Sequence, residues 1–319
     1  MKPRVWMNWL LSDEALAPLS ELAEVITDGD PDKFSGSTVV VPTFEPVDGA
    51  FMDRVGPQLN LLAKPGIGLD NIDISAASER GILVCHTPDA VTESTAEHTV
   101  GLLLAVAKRI VAGDMQLRGA DVPRSGLLGT EVRGKTLGVV GYGRIGRRVA
   151  EICSLAFQMP VLVYDPYIDP NQSTPDGITM TDDMDTIFAQ GDFVTIHTPL
   201  TAETHHLVVE RHFRLMKRGS YLINASRGPV IDEGALIKVL QERHLAGAGL
   251  DVFDPEPPEA ENPLLSMPNV VVTPHIAAST ETCHSAIFNS LVAQIGQVLR
   301  GERPTSLANP EAWPGRVEE

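Results

Sequence analysis

Cysteine is scarce: three in 319 residues, at positions 85, 153 and 283. They are far apart and odd in number, which argues against a disulfide framework or a metal cluster and fits reduced thiols in the cytoplasm. Basic residues are also short, 25 Lys and Arg against 42 Asp and Glu, and the formal net charge of -17 is spread along the chain. Such a surface repels polyanions, so nucleic acid and anionic membranes are poor partners. No apolar run is long enough to cross a bilayer; the most apolar stretch, "VGLLLAVAKRIVAG", is interrupted by Lys108 and Arg109 and reads as a buried helix. The opening "MKPRVWMNWLLSDEA" holds Asn8 and acids at 13 and 14, too short an apolar run for a signal peptide, so a first strand is the better reading. Low-complexity tracts and fixed-period repeats are absent as well. What is there is 43% apolar content, enough to fill cores, in a chain whose length predicts two domains of a soluble globular protein.

Short apolar runs alternate with amphipathic stretches, the pattern of parallel sheets wrapped by helices. Strands are expected at 37–42, 59–64 and 82–86, with helices in "EPVDGAFMDRVG" and "DISAASERG" between them. From Ser94 or Thr95 one long helix is expected to about Gln116, apolar on nearly every side and therefore in need of burial all round. A second alternating series of roughly six strands follows, from "TLGVVGYG" to "NVVVTPH", and a last helix spans about 280–300.

In the second series "GVVGYGRIGRRVAE" sets Gly141, Gly143 and Gly146 as G-x-G-x-x-G between a strand and a helix, and "VLVYD" ends the next strand in Asp165. Glycines let the backbone approach a pyrophosphate, the helix N-terminus supplies N–H donors, and a carboxylate about 20 residues on accepts the ribose hydroxyls. The same carboxylate repels a 2′-phosphate, so NAD is favoured over NADP; a flavin is a weaker alternative, because this loop lies mid-chain.

Three later strand ends carry unusual residues: Arg227 in "YLINASRGPVID", Asp251 and Glu256 in "AGLDVFDPEPP", and His275 in "VVVTPHIA". Ligands of open parallel sheets bind at the carboxyl ends of strands. Hydride transfer to a 2-oxo acid needs a cation to hold the carboxylate and a proton donor for the forming alkoxide, which suits Arg227 and His275, with Glu256 orienting the ring and favouring its charged form. Structural roles are expected for His86, Cys85 and His98, and the adjacent His205 and His206 have poor geometry for a metal. No metal site is expected.

Together with "GIGLDNIDISAASERGILVCHTPDAVTESTAEHT", these stretches resemble the D-isomer-specific 2-hydroxyacid dehydrogenase family from about residue 60 to 300. The resemblance implies two Rossmann-like α/β domains with parallel sheets. The NAD-binding domain (98–288) would be inserted into a discontinuous substrate domain (1–97 and 289–319), with the long apolar helix at the hinge and a homodimer interface. It implies a catalytic trio of Arg227, Glu256 and His275, and backbone N–H groups of Ile67 and Gly68 on the substrate carboxylate. On the cofactor side it implies Gly141, Gly143, Arg144, Ile145 and Gly146 at the pyrophosphate, Asp165 at the ribose, and Thr198 and Pro199 on the adenosine side. Asp251 would hold the carboxamide and Thr95 would lie near the nicotinamide; Ala225, Ser226, Arg227, His275 and Ala277 complete that set.

Glu256 departs from formate dehydrogenases of this fold, which pair the histidine with Gln. "AKPGIG" replaces the commoner Arg-Ala-Gly run, and Lys64 reads either as an extra anion contact or as a strand-end charge. The chain ends soon after its last helix, so the regulatory extension of many phosphoglycerate dehydrogenases is expected to be absent. The expected function is NAD(H)-dependent hydride transfer on a small D-2-hydroxy acid or 2-oxo acid of glyoxylate, hydroxypyruvate or 3-phosphoglycerate type. A nucleotide-sensing, corepressor-like binding protein is the alternative.

Overall fold

Strands that run parallel must be joined by crossovers, and the helices that make those crossovers cover both sheet faces, so the strands become continuously apolar. Both sheets of this protein follow that rule. The structure, a computed structural model, describes residues 2–8, 13–27 and 31–314. They form two compact units, residues 1–91 with 280–319 and residues 92–279. The expected joints at 97/98 and 288/289 each fall inside a helix, and a helix stays whole with one unit.

The first unit has five parallel strands, β1 (Arg4–Met7), β2 (Glu24–Ile26), β3 (Val39–Val41), β4 (Leu61–Lys64) and β5 (Leu83–His86), in the order β2-β1-β3-β4-β5. Around them lie α1 (Asp13–Leu22), α2 (Gly49–Val55), α3 (Ile74–Glu79) and α10 (Glu281–Leu299), the last against α1 and β4. Trp6, Phe51, Met52, Leu62 and Val84 form one core. Asp48 and Asp73 cap α2 and α3 by accepting from the N–H groups of Phe51 and Ala76.

The second unit has seven parallel strands: β6 (Leu137–Val140), β7 (Val161–Tyr164), β8 (Ile178–Thr181), β9 (Phe193–Ile196), β10 (Tyr221–Asn224), β11 (Gly247–Leu250) and β12 (Val270–Val272). Their order is β12-β11-β10-β9-β6-β7-β8. From β6 the chain winds one way through β7 and β8, then returns to wind the other way from β9 to β12. The turn after β6 therefore lies at the topological switch, where a crevice opens. One face carries α4 (Thr92–Ala107) and α6 (Arg144–Phe157); the other carries α8 (Glu210–Leu215) and α9 (Glu233–Gln241). The short helices α5 (Ile110–Leu117) and α7 (Met184–Gln190) complete the unit.

Two expectations are corrected. The single helix from 94 to 116 is broken at Lys108–Arg109: the Ala107 carbonyl accepts from Thr130 N–H, Arg109 turns left-handed at φ 57°, and its side chain donates to the Gly126 carbonyl. The segment after the break is not buried all round, for Ile110, Val111, Met115 and Leu117 are exposed. The strands β2 and β8 were also not expected. Each is the outermost strand of its sheet, with one neighbour and a partly exposed face, so neither shows an unbroken apolar run.

Candidate active site

The glycine loop lies between β6 and α6, at the switch point. Gly141 takes φ +92°, and an added Cβ there would sit 2.8 Å from the His197 carbonyl carbon. A Cβ on Gly146 would lie 2.1 Å from the Gly141 carbonyl oxygen, whereas one on Gly143 would meet nothing within 4 Å. Gly141 thus lets the loop pass close to the chain after β9, Gly146 lets helix and loop close on each other, and Gly143 leaves an open approach to the first turn of a 14-residue helix. Arg144 and Ile145 begin that helix, which has no acidic residue in its first turn.

Asp165 follows β7. Its carboxylate accepts from Tyr142 N–H at 2.9 Å and Tyr167 N–H at 3.0 Å, one on each oxygen, which holds it at the loop and leaves acceptor capacity for hydroxyl groups. After β9 come Thr198, whose buried Oγ1 has no hydrogen-bond partner among the described residues, and the exposed Pro199. An orphaned hydroxyl, an open glycine, a free-standing helix start and an oriented carboxylate fit a dinucleotide. Behind the loop, burial pushes the His197 imidazole down to about 4, so the ring is neutral at neutral pH; it bonds Thr195 Oγ1 at 3.0 Å. Sequence reasoning did not single out His197.

The trio comes from three adjacent strands, and consecutive contacts join their loops. At the end of β10, the fully buried Asn224 accepts from Ser226 N–H and Oγ and donates to the Arg227 carbonyl at 3.0 Å. Arg227 thereby takes an extended backbone, and one of its guanidinium nitrogens donates to the Ser226 carbonyl at 2.8 Å. Gly228 presses so closely on the loop after β11 that a Cβ would lie 1.8 Å from the Phe253 carbonyl oxygen. Phe253 N–H in turn donates to Glu256 at 3.4 Å, and Glu256 Oε1 meets His275 Nδ1 at 2.5 Å. Both members of that pair are about one-third exposed, 33% and 28%.

Asp251, at the end of β11, is fully buried and accepts from Thr273 Oγ1, Ile276 N–H and Ala277 N–H. Burial alone would raise its carboxyl; His98, with Nε2 3.4 Å from Oδ1, and the hydrogen bonds from Thr273 and the two backbone groups outweigh that and hold it below the usual carboxylate range. Thr95 and His98 lie on α4, the former buried. Ala225 and Ala277 are buried beside the same strand ends, and Ser226 is half-buried.

The remaining candidates belong to the first unit. Lys64 ends β4; it is only 7% exposed, its amine donates to the Thr43 carbonyl, and it lies 5.6 Å from the centre of the Phe44 ring. Ile67 and Gly68 follow in the next turn, where the Ile67 carbonyl lies 3.1 Å from His86 Nδ1.

A profile of the D-isomer specific 2-hydroxyacid dehydrogenase NAD binding domain matches residues 100–277, more than half of the chain. This protein belongs to the D-isomer specific 2-hydroxyacid dehydrogenase family. Within the family it is 38% identical to the glyoxylate reductase of Thermofilum pendens over 325 aligned positions, covering 97% of this chain and 95% of that one. It is 42% identical to the D-3-phosphoglycerate dehydrogenase of Methanocaldococcus jannaschii over 252, covering 79% of this chain but 48% of that one. The chain thus spans about half the length of that relative. Among solved structures, the NADPH-dependent glyoxylate/hydroxypyruvate reductase of Sinorhizobium meliloti, in complex with NADP and malonate, superposes with a TM-score of 0.86 at 28% identity over the whole of both chains. All three carry the names of oxidoreductases. In the family frame the second unit contains the NAD-binding domain. No helix among the described residues is long and apolar enough to cross a membrane, and no cluster of metal-ligating side chains is present among them.

Proposed function

We propose that this protein is an NAD(H)-dependent oxidoreductase that interconverts a small 2-oxo acid and its D-2-hydroxy acid, with glyoxylate and hydroxypyruvate as the first substrates to test. The observation that carries the reading is the Glu256–His275 pair, held at 2.5 Å beside the loop of Arg227 on three neighbouring strand ends. Bound NAD(H) supplies or accepts the hydride; the chain does the rest. Arg227 binds the substrate carboxylate and polarises the carbonyl with its fixed planar fork. His275 engages Glu256 through Nδ1, so its proton passes to the forming alkoxide from Nε2. In the oxidative direction His275 takes the hydroxyl proton, and the charge that then builds on the ring is met by the Glu256 carboxylate.

The cofactor would be held by Gly141 to Gly146, Asp165, Thr198 and Pro199, with Thr95, Ala225, Ser226, Asp251 and Ala277 around the nicotinamide. Ile67 and Gly68 would serve the substrate from residues 1–91. Asp165 favours NAD, since a carboxylate at the ribose repels a 2′-phosphate. A cytoplasmic homodimer is the assembly that suits the chain: Ile110 (57% exposed), Met115 (49%), Leu117 (90%) and Leu128 (87%) leave apolar surface for a second copy to cover.

The test is a panel of 2-oxo acids with NADH and with NADPH, followed by the absorbance of reduced nicotinamide. Turnover with NADH is expected, and His275→Gln should lower kcat by about 10²- to 10⁴-fold while NADH binding persists. No oxidation of either nucleotide across the panel overturns the reading.

A further inference from the structure

His275 sits in a backbone conformation that L side chains avoid, φ 52°, which persists only where the surroundings impose it. Besides the Thr273 carbonyl, which shares the His275 N–H at 3.1 Å, the main anchor of the turn is Asp251. Asp251 receives three successive backbone N–H groups: His275 on its carbonyl at 2.8 Å, Ile276 on Oδ1 at 2.9 Å and Ala277 on Oδ2 at 2.8 Å. The turn that carries the ring is wrapped around this carboxylate.

The carboxylate is itself held from outside the turn. Thr273 Oγ1 lies 2.5 Å from Asp251 Oδ1, and His98 Nε2 lies 3.0 Å from Thr273 Oγ1 and 3.4 Å from Asp251 Oδ1. An ionised carboxylate only accepts, so the single Thr273 hydroxyl proton goes to Asp251, and Thr273 must accept from His98. That assigns the His98 tautomer: the proton is on Nε2, and the chain of donors runs His98 to Thr273 to Asp251. Three of the roughly four acceptor positions of Asp251 are then spent on Thr273, Ile276 and Ala277. His98 stands on α4, and α4 packs on β11 and β12, the strands that deliver Asp251 and Thr273. A helix in the core thereby reaches the turn of the proton donor through two hydrogen bonds.

We propose that His98 is a positioning residue: through Thr273 it fixes the Asp251 carboxylate, and through Asp251 it sets the turn that aims the His275 ring. The inference rests on the oxidoreductase reading for its kinetic consequence, but its geometric part stands apart from turnover. His98 does not touch the reacting atoms in this scheme.

The experiment compares four variants of the full chain. Thr273→Val and His98→Leu remove the donors at near-constant volume; Thr273→Ser and His98→Gln keep a hydroxyl and a side-chain N–H. For each, kcat and KM with the best 2-oxo acid, the Kd for NADH by fluorescence and the ring Cε1–H resonance of His275 in histidine-labelled protein are measured. The resonance is assigned by its loss in His275→Gln. Thr273→Val and His98→Leu should lower kcat about tenfold or more, with KM and the NADH Kd within about threefold, and should displace the His275 resonance. The Ser and Gln variants should return kcat to within about threefold of the parent.

An unchanged kcat and an unmoved resonance in folded Thr273→Val and His98→Leu overturn the proposal, as does a parallel loss of NADH binding. If His98→Leu does not fold, Thr273→Val, which keeps the shape of the side chain, decides. If the parent protein turns over no 2-oxo acid, the proposed activity fails, and the His275 resonance still decides the positioning role.

Discussion

The two sheets are built alike, all parallel and covered on both faces, yet the loops at their carboxyl ends differ in what holds their polar groups. In the first unit Lys64 donates to the Thr43 carbonyl, Asn71 to the Thr43 and Glu45 carbonyls, and His86 lies against the Ile67 carbonyl. In the second unit the groups at and behind the trio also pair side chain to side chain: Glu256 with His275, Thr273 with Asp251 and His98. Backbone-anchored polar groups stitch loops into shape. Paired titratable groups with partial exposure can exchange protons. The same architecture therefore supplies a rigid frame at one edge and a reactive one at the other, and the difference can be tested from both sides.

The largest effect is expected at the reactive edge in acid. The folded chain keeps His197 neutral down to about 4, below the ordinary value near 6.5. As pH falls below 6.5 the unfolded chain binds a proton that the folded one refuses, so stability is fully present above that pH and declines towards 4. The loss amounts to about 2–3 kcal/mol by pH 4.5. His212, lowered mainly by burial, titrates in the same sense and adds to it. Urea denaturation at pH 7 and 4.5 should show His197→Asn losing less than the parent by about that amount. An equal loss in both would place the acid sensitivity elsewhere.

A smaller effect is expected on the Glu256–His275 pair. Glu256 Oε1 meets His275 Nδ1 and so fixes how the ring is turned. Glu256→Gln should lower kcat about tenfold while NADH binding persists. An unchanged kcat in the folded variant would remove Glu256 from the proton path.

Much of this frame is legible in the sequence, because its signals are local. The strand–glycine–helix turn at 137–157 is a contiguous pattern, and the residues at 227, 251, 256 and 275 follow apolar runs that turn out to be neighbouring strands. What escapes is set by contacts distant in sequence. The break at Arg109 depends on Thr130 and Gly126, and β2 and β8 have too little burial to print an apolar run. His98 was read as structural because nothing near it on the helix reveals Asp251 or Thr273. Only the packing of α4 on β11 and β12 brings the three together, and among the polar residues of the first half of α4 His98 does not stand out.

Lys64 gives the smallest expected effect and the sharpest test of the frame-like edge. The sequence left two readings, an anion contact and a strand-end charge. In the structure the side chain is buried to 7%, its amine meets the Thr43 carbonyl, and the face of Phe44 lies 5.6 Å away. The same carbonyl accepts from Asn71 at 3.3 Å, while Glu45 takes the Thr43 N–H and hydroxyl, so the charge is spent on joining the loop after β3 to the end of β4. Lys64→Met keeps the stem and removes the donor. Stability should drop by about 1 kcal/mol, the worth of one such hydrogen bond, and KM for the 2-oxo acid should stay within about threefold. A KM raised about tenfold or more at constant kcat, the sign of a lost ground-state contact, would instead make Lys64 an anion ligand.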